Sequence, residues 1–184
     1  MRHPSILDSQ SAALLIIDMQ ESFRKVLSDV ANITRNITIL VEASKLLNLP
    51  VFVTEQYPQG LGKTVAEISA CLGDHQLFEK NSFSCCGADG FLEALSQSGR
   101  RQLIVCGIEA HVCVNQTVHD LLNEGFGVHL VVDAITSRNP RNKEIGLEKM
   151  LGSGALPSTV EMALFEMLTR SGTETFKSVQ RLIK

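Results

Sequence analysis

No apolar run in this 184-residue chain approaches the roughly 20 residues of a membrane-spanning helix. Basic residues are not in excess either. The 17 Lys and Arg stand against 20 Asp and Glu, and the net charge of −3 offers no basic face for nucleic acid. Residues 1–10 lack an apolar segment flanked by basic residues, so the expectation is no secretory signal and a cytoplasmic location. The cysteines, Cys71, Cys85, Cys86, Cys106 and Cys113, are odd in number and contain no C-x-x-C pair. That pattern disfavours a zinc site or a disulfide framework and leaves reduced thiols as the default. There is no internal repeat, low-complexity tract or linker.

What is present is a globular balance, with 44% hydrophobic residues on a length that fits one domain over residues 1–184. Apolar runs alternate with amphipathic segments, the signature of βαβ units. The run Ala13 to Ile17 predicts a buried parallel strand ending at Asp18. Ile33, Ile37, Leu40, Val41 and Leu47 share one face of a helix over 31–47, stopped by Pro50. Strands are predicted at 51–54, 77–80, 102–106 and 128–132. The stretch 55–63, with Pro58, Gly60 and Gly62, reads as loop. Helices are predicted at 91–97, 112–123, after the Asn139-Pro140 cap, at 160–169 and at 174–183. The fold class is α/β: three α-β-α layers around a mostly parallel, Rossmann-like sheet. Sites in such sheets collect beyond the carboxyl ends of strands. Asp18, Lys80 and the segment 107–113 each follow a predicted strand.

In Gly107-Ile108-Glu109-Ala110-His111-Val112-Cys113 a strand ends, the chain turns, and a helix begins near the cysteine. The positive end of a helix dipole stabilises a thiolate. The free N–H groups there can bind an oxyanion. The competing reading is an inert, buried cysteine. Asp18 follows an apolar strand and can serve as general base, or be a loop carboxylate or helix cap. Lys80 can favour a thiolate and keep a carboxylate ionised, or be an ordinary solvated lysine.

Leu14-Leu15-Ile16-Ile17-Asp18-Met19-Gln20 with Phe23, Glu79-Lys80 followed by Ser82-Phe83-Ser84, and Gly107 to Val114 together resemble the motifs of the isochorismatase-like (cysteine hydrolase) superfamily. Glu55-Gln56-Tyr57-Pro58 and residues 152–168 also resemble the isochorismatase-domain-containing subgroup. The resemblance runs in order over about 14–168. It implies a catalytic triad of Asp18, Lys80 and Cys113. It also implies a cis Ile108–Glu109 peptide and an oxyanion hole from the backbone N–H groups of Glu109 and Cys113. The implied activity is cysteine-dependent hydrolysis of a small amide, carbamoyl or related substrate through a thioester, by a homo-oligomer.

One departure concerns metal. Nicotinamidase members of the superfamily use an Asp-x-His motif after the second strand, whereas this chain reads Glu55-Gln56-Tyr57, with His75 as a lone later histidine. No metal and no cofactor are expected. Phe23, Gln56, Tyr57 and Phe83 are candidate substrate contacts, each of the aromatics equally compatible with the core. His111 lies near the nucleophile without a role in the resemblance, and Cys85-Cys86 read as passive. The rival to an enzyme is a partner-binding or redox-sensing module on the same fold.

Overall fold

The computed structural model describes residues 2–184. Its centre is β1 (Ala12–Ile17), in which every residue is buried. Ala12, Leu14 and Ile16 feed one hydrophobic core; Ala13, Leu15 and Ile17 feed a second on the opposite face. A strand covered on both faces has no solvent side to make polar, which is why the run is continuously apolar. Burying each Leu or Ile side chain contributes about 1.5–3 kcal/mol.

The other strands are β2 (Val51–Gln56), β3 (Gln76–Lys80), β4 (Gln102–Gly107), β5 (Gly127–Ile135) and β6 (Leu156–Ser158). They form one six-stranded sheet in the order β3-β2-β1-β4-β5-β6. Every pairing is parallel. In chain order the helices are α1 (Val30–Leu47), α2 (Pro58–Leu61), α3 (Ala66–Cys71), α4 (Phe91–Gln97), α5 (Asn115–Asn123), α6 (Pro140–Gly152), α7 (Val160–Leu168) and α8 (Glu174–Gln180). Residues of α1, α3, α7 and α8 pack into the first core, and those of α4, α5 and α6 into the second. This is the expected three-layer α/β arrangement. The order reverses at β1, between β2 and β4, and the carboxyl ends of these strands frame a crevice.

Local signals explain several boundaries. Asn48 closes α1 in the left-handed conformation, with φ 54°. Asn139 caps α6 by accepting the Arg141 N–H, with Pro140 in the first turn. Other boundaries differ from the sequence reading. The segment expected to be loop over 55–63 continues β2 to Gln56 and then forms α2. Glu55 can sit inside that strand because Thr64 donates to its Oε1 through both its N–H (2.7 Å) and its hydroxyl (2.8 Å). Neither α3 nor β6 was anticipated; both are too short to show a period. No helix among the described residues is long and apolar enough to cross a membrane.

Candidate active site

Asp18 is the first residue beyond β1, and it takes a left-handed conformation with φ 52°. Such a backbone costs a non-glycine residue about 1–3 kcal/mol, and the surrounding structure must impose it. Here the Asp18 N–H donates to the Thr54 carbonyl (3.1 Å), and the Asp18 carbonyl accepts from Gln20 N–H (2.8 Å). The carboxylate is buried. Its Oδ1 accepts a hydrogen bond from the Thr54 hydroxyl at 2.7 Å. Its Oδ2 accepts one from Lys80 Nζ at 2.7 Å.

Lys80 closes β3, one strand beyond β2. Its side chain is 0% exposed and that of Asp18 is 2% exposed, so the pair is fully desolvated. The remaining contacts of Nζ are Gln56 Oε1 (2.8 Å), the Phe83 carbonyl (3.1 Å) and the Ser82 carbonyl (3.3 Å). Burial works against the ammonium, but the Asp18 charge leads the interactions that outweigh it and raise the Lys80 pKa. Lys80 stays charged behind Asp18 and does not line the cavity in front of it.

Cys113 arrives from the neighbouring β4. The chain leaves Gly107, passes a cis Ile108–Glu109 peptide, and enters a π turn, Ala110–Val114, that runs into α5. The Glu109 carbonyl accepts from both Val112 N–H (3.0 Å) and Val114 N–H (3.2 Å). The widened turn tucks Cys113 inward, 7% exposed, within the first turn of the helical stretch. One expectation is corrected here. Burial first, and the Asp18 charge second, push the Cys113 thiol well above its ordinary pKa, and the opposing charge of Lys80 does not overcome them. The surroundings therefore favour the protonated thiol at Cys113 over a preformed thiolate. A hydrogen-bonding interaction with Asp18 also favours the protonated thiol.

The Glu109 N–H has no hydrogen-bond partner among the described residues, and the Cys113 N–H donates to no group outside its own turn. The Glu109 side chain is occupied. Its Oε1 accepts from Arg138 Nε (2.9 Å) and Arg138 N–H (3.0 Å), and its Oε2 from Nη2 (3.1 Å).

Asp18, Glu109 and Cys113 face a cavity of about 190 Å³. Of the predicted substrate contacts, Phe23, Gln56 and Phe83 line it. Tyr57 does not. It is 54% exposed, and its ring lies against Gly60, where an added Cβ would come within 2.4 Å of it. The change of direction after β2, with φ 38° at Tyr57, turns the side chain outward. Leu61, Ile108, Val112 and Arg138 complete the lining and were not predicted. Arg138 lies in the segment beyond β5, so the strand-end rule that singled out Asp18 and Lys80 also covers it.

The remaining candidates lie apart. The ring of His111 points to the Ser137 hydroxyl, with Nδ1 to Oγ 3.0 Å. His75 is exposed and contacts the Gly73 carbonyl. Glu55 is engaged by Thr64 and by Lys63. No group of three His, Cys, Asp or Glu side chains arranged for a metal ion occurs among the described residues.

Comparisons with known proteins identify the family. The isochorismatase domain model matches residues 12–162. The secreted isochorismatase effector Isc1 of Phytophthora sojae (strain P6497) is 39% identical over 178 residues, covering 95% of this chain and 85% of that protein. Isochorismatase domain-containing protein 2 of Danio rerio is 36% identical over 178 residues, covering 96% and 89%. The structure of the MAR1 ribonuclease from Caenorhabditis elegans superposes with a TM-score of 0.92 at 36% identity, covering 97% and 92%. This chain belongs to the isochorismatase family.

Proposed function

We propose that this protein is a cysteine-dependent hydrolase of a small amide, carbamoyl or related substrate. The observation that carries the reading is the Asp18 carboxylate, fixed by a buried ammonium on one side and facing the Cys113 thiol on the other. A protonated thiol facing a buried carboxyl group paired with an ammonium suits attack with concerted proton transfer.

The substrate carbonyl sits over Cys113. As Sγ bonds to the carbonyl carbon, the thiol proton passes to Asp18. The resulting oxyanion accepts hydrogen bonds from the N–H groups of Glu109 and Cys113. Collapse breaks the C–N bond, and Asp18 returns the proton to the leaving nitrogen, leaving a thioester. Water then attacks, giving a proton to Asp18. The C–S bond breaks, the acid departs, and the proton returns to sulfur. Lys80 keeps its proton throughout and stays hydrogen-bonded to Asp18. Phe23 and Phe83 supply apolar contact, and Gln56 and Arg138 supply polar contact, at the cavity wall.

The cavity of about 190 Å³ is small beside the roughly 300–1,000 Å³ of pockets for drug-sized ligands, which favours a small substrate. The name of the C. elegans neighbour makes RNA the alternative substrate. The net charge of −3 argues against it.

The test is release of ammonia or amine from a panel of small amides, ureas and carbamates by the purified protein, with C113A alongside and an RNA arm in parallel. Turnover of a small amide that C113A lacks is the expected result. RNA cleavage that persists in C113A would overturn the reading.

A further inference from the structure

We propose that Thr54 is a positioning residue for proton transfer at Asp18, an inference that rests on the hydrolase reading above. Thr54 lies on β2 beside the end of β1, in register with Ile17, and is fully buried. Its hydroxyl reaches Asp18 Oδ1 at 2.7 Å. A carboxylate paired with an ammonium only accepts hydrogen bonds, so the single hydroxyl proton of Thr54 must point to Asp18.

That assignment fixes the next partner. Cys85 Sγ lies 3.6 Å from Thr54 Oγ1. The Thr54 proton is committed, so the Cys85 thiol is the donor of this contact. Cys85 is itself held in place, its N–H donating to Thr117 Oγ1 at 2.9 Å. Burial, and then the Asp18 charge, push the Cys85 thiol up to about 12, so it remains a donor across the neutral range. A directed chain therefore runs from Cys85 through Thr54 to Asp18 Oδ1, while Lys80 holds Oδ2. With one donor on each oxygen the carboxylate plane is fixed, and the free lone pairs remain for the Cys113 proton.

The hydroxyl does something that packing does not. Valine fills nearly the same volume without donating. Its loss both frees the carboxylate to rotate and removes a hydrogen bond to its charged form. The other titratable or charged groups around Asp18 are Lys80 from β3, Cys85 from the segment after it, and Cys113 and the Glu109–Arg138 pair from beyond β4 and β5. None of them replaces the lost donor on Oδ1.

The test needs no substrate. Full-length wild type, D18N, T54V, T54A and T54S are treated with iodoacetamide over a range of pH, and labelling at Cys113 is followed by peptide mass mapping alongside thermal midpoints. T54V is expected to label about tenfold more slowly near neutral pH. T54S is expected to recover most of the rate. T54A removes the hydroxyl without adding bulk and gives the same reading if T54V does not fold. Unchanged or faster labelling in D18N would sink the base role of Asp18 itself, the faster case by showing that its charge only keeps the proton on sulfur. Slow labelling in D18N with wild-type profiles in T54V and T54A would overturn the Thr54 inference alone. Equal slowing in T54S and T54V would overturn it too, by assigning Thr54 to packing.

Discussion

Glu109 grips the Arg138 guanidinium with both carboxylate oxygens while its own N–H points away unpartnered. The ion pair thus orients the residue whose N–H is the oxyanion donor in the proposed mechanism. Burial would raise the Glu109 pKa, but the Arg138 hydrogen bonds and charge prevail and hold it below the ordinary range. A lowered carboxylate pKa stabilises the fold above the unfolded value, and the contribution is lost as pH falls through the folded value. R138M is therefore expected to be less stable than wild type near neutral pH and to lose less on acidification, the two converging as pH falls through the folded Glu109 value, as read by urea midpoints across the acid range. Its turnover is expected to fall by about 10²-fold, since the Glu109 N–H is no longer held in place.

The Asp18–Lys80 pair predicts a strong coupling. Replacing Lys80 alone by Met leaves a desolvated carboxylate without its cation, at a cost of about 3–5 kcal/mol. D18N strands the ammonium in the same way. The double variant removes both charges and is expected to be much more stable than the sum of the single losses. A double-mutant cycle by chemical denaturation measures this; additive effects would mean that the two charges do not share one buried environment.

Gly107 has φ 118°, and a Cβ there would lie 2.1 Å from the Ile17 carbonyl oxygen. The obstacle is backbone of β1, which cannot swing aside as a side chain does. G107A is expected to destabilise the protein by more than about 4 kcal/mol or prevent folding. G90A is the control. It shares a positive φ of 76°, but has nothing within 4 Å of the new Cβ. It is expected to cost only about 1 kcal/mol.

Buried thiols make the fold sensitive to alkali. Burial leads the shifts that push Cys86 to about 11 and Cys85 to about 12, and Cys106 and Cys113 higher still. The sign follows from linkage. Below the unfolded thiol pKa, about 8.5, both states are protonated and nothing changes. Above it the unfolded chain ionises while the fold stays neutral, so stability falls as pH rises until the folded thiols titrate. Denaturant midpoints are expected to drop steadily above about pH 9. C86S is expected to flatten the slope, because it removes one such thiol at a partly exposed position.

Much of the fold was legible because β1, β4 and α1 carry long, uniform patterns. The candidate triad positions stood out because each lies at or beyond a strand end, but grouping them as a triad rested on the family resemblance. Tyr57 was misplaced because nothing in Gln-Tyr-Pro announces a left-handed residue that turns the ring outward. The raised thiol pKa of Cys113 was not legible either. A helix start suggests a thiolate, but the outcome depends on how deeply the π turn tucks the sulfur and on how near Asp18 lies. Thr54 escaped notice because an isolated threonine in a strand has no distinguishing spacing. Only the register of β2 beside β1 reveals what its hydroxyl meets.

The strand order has a consequence for the chain as it is made. β1 is synthesised first and is apolar throughout, yet one of its edges pairs with β4, from Gln102 to Gly107. A nascent or truncated chain ending before that segment can form β1 and β2 while the other edge of β1 stays open. A flat apolar strand with unpaired backbone groups is a template for association with other chains. Premature termination, proteolytic nicking and slow translation upstream of Gln102 therefore leave exposed an edge that the finished sheet conceals.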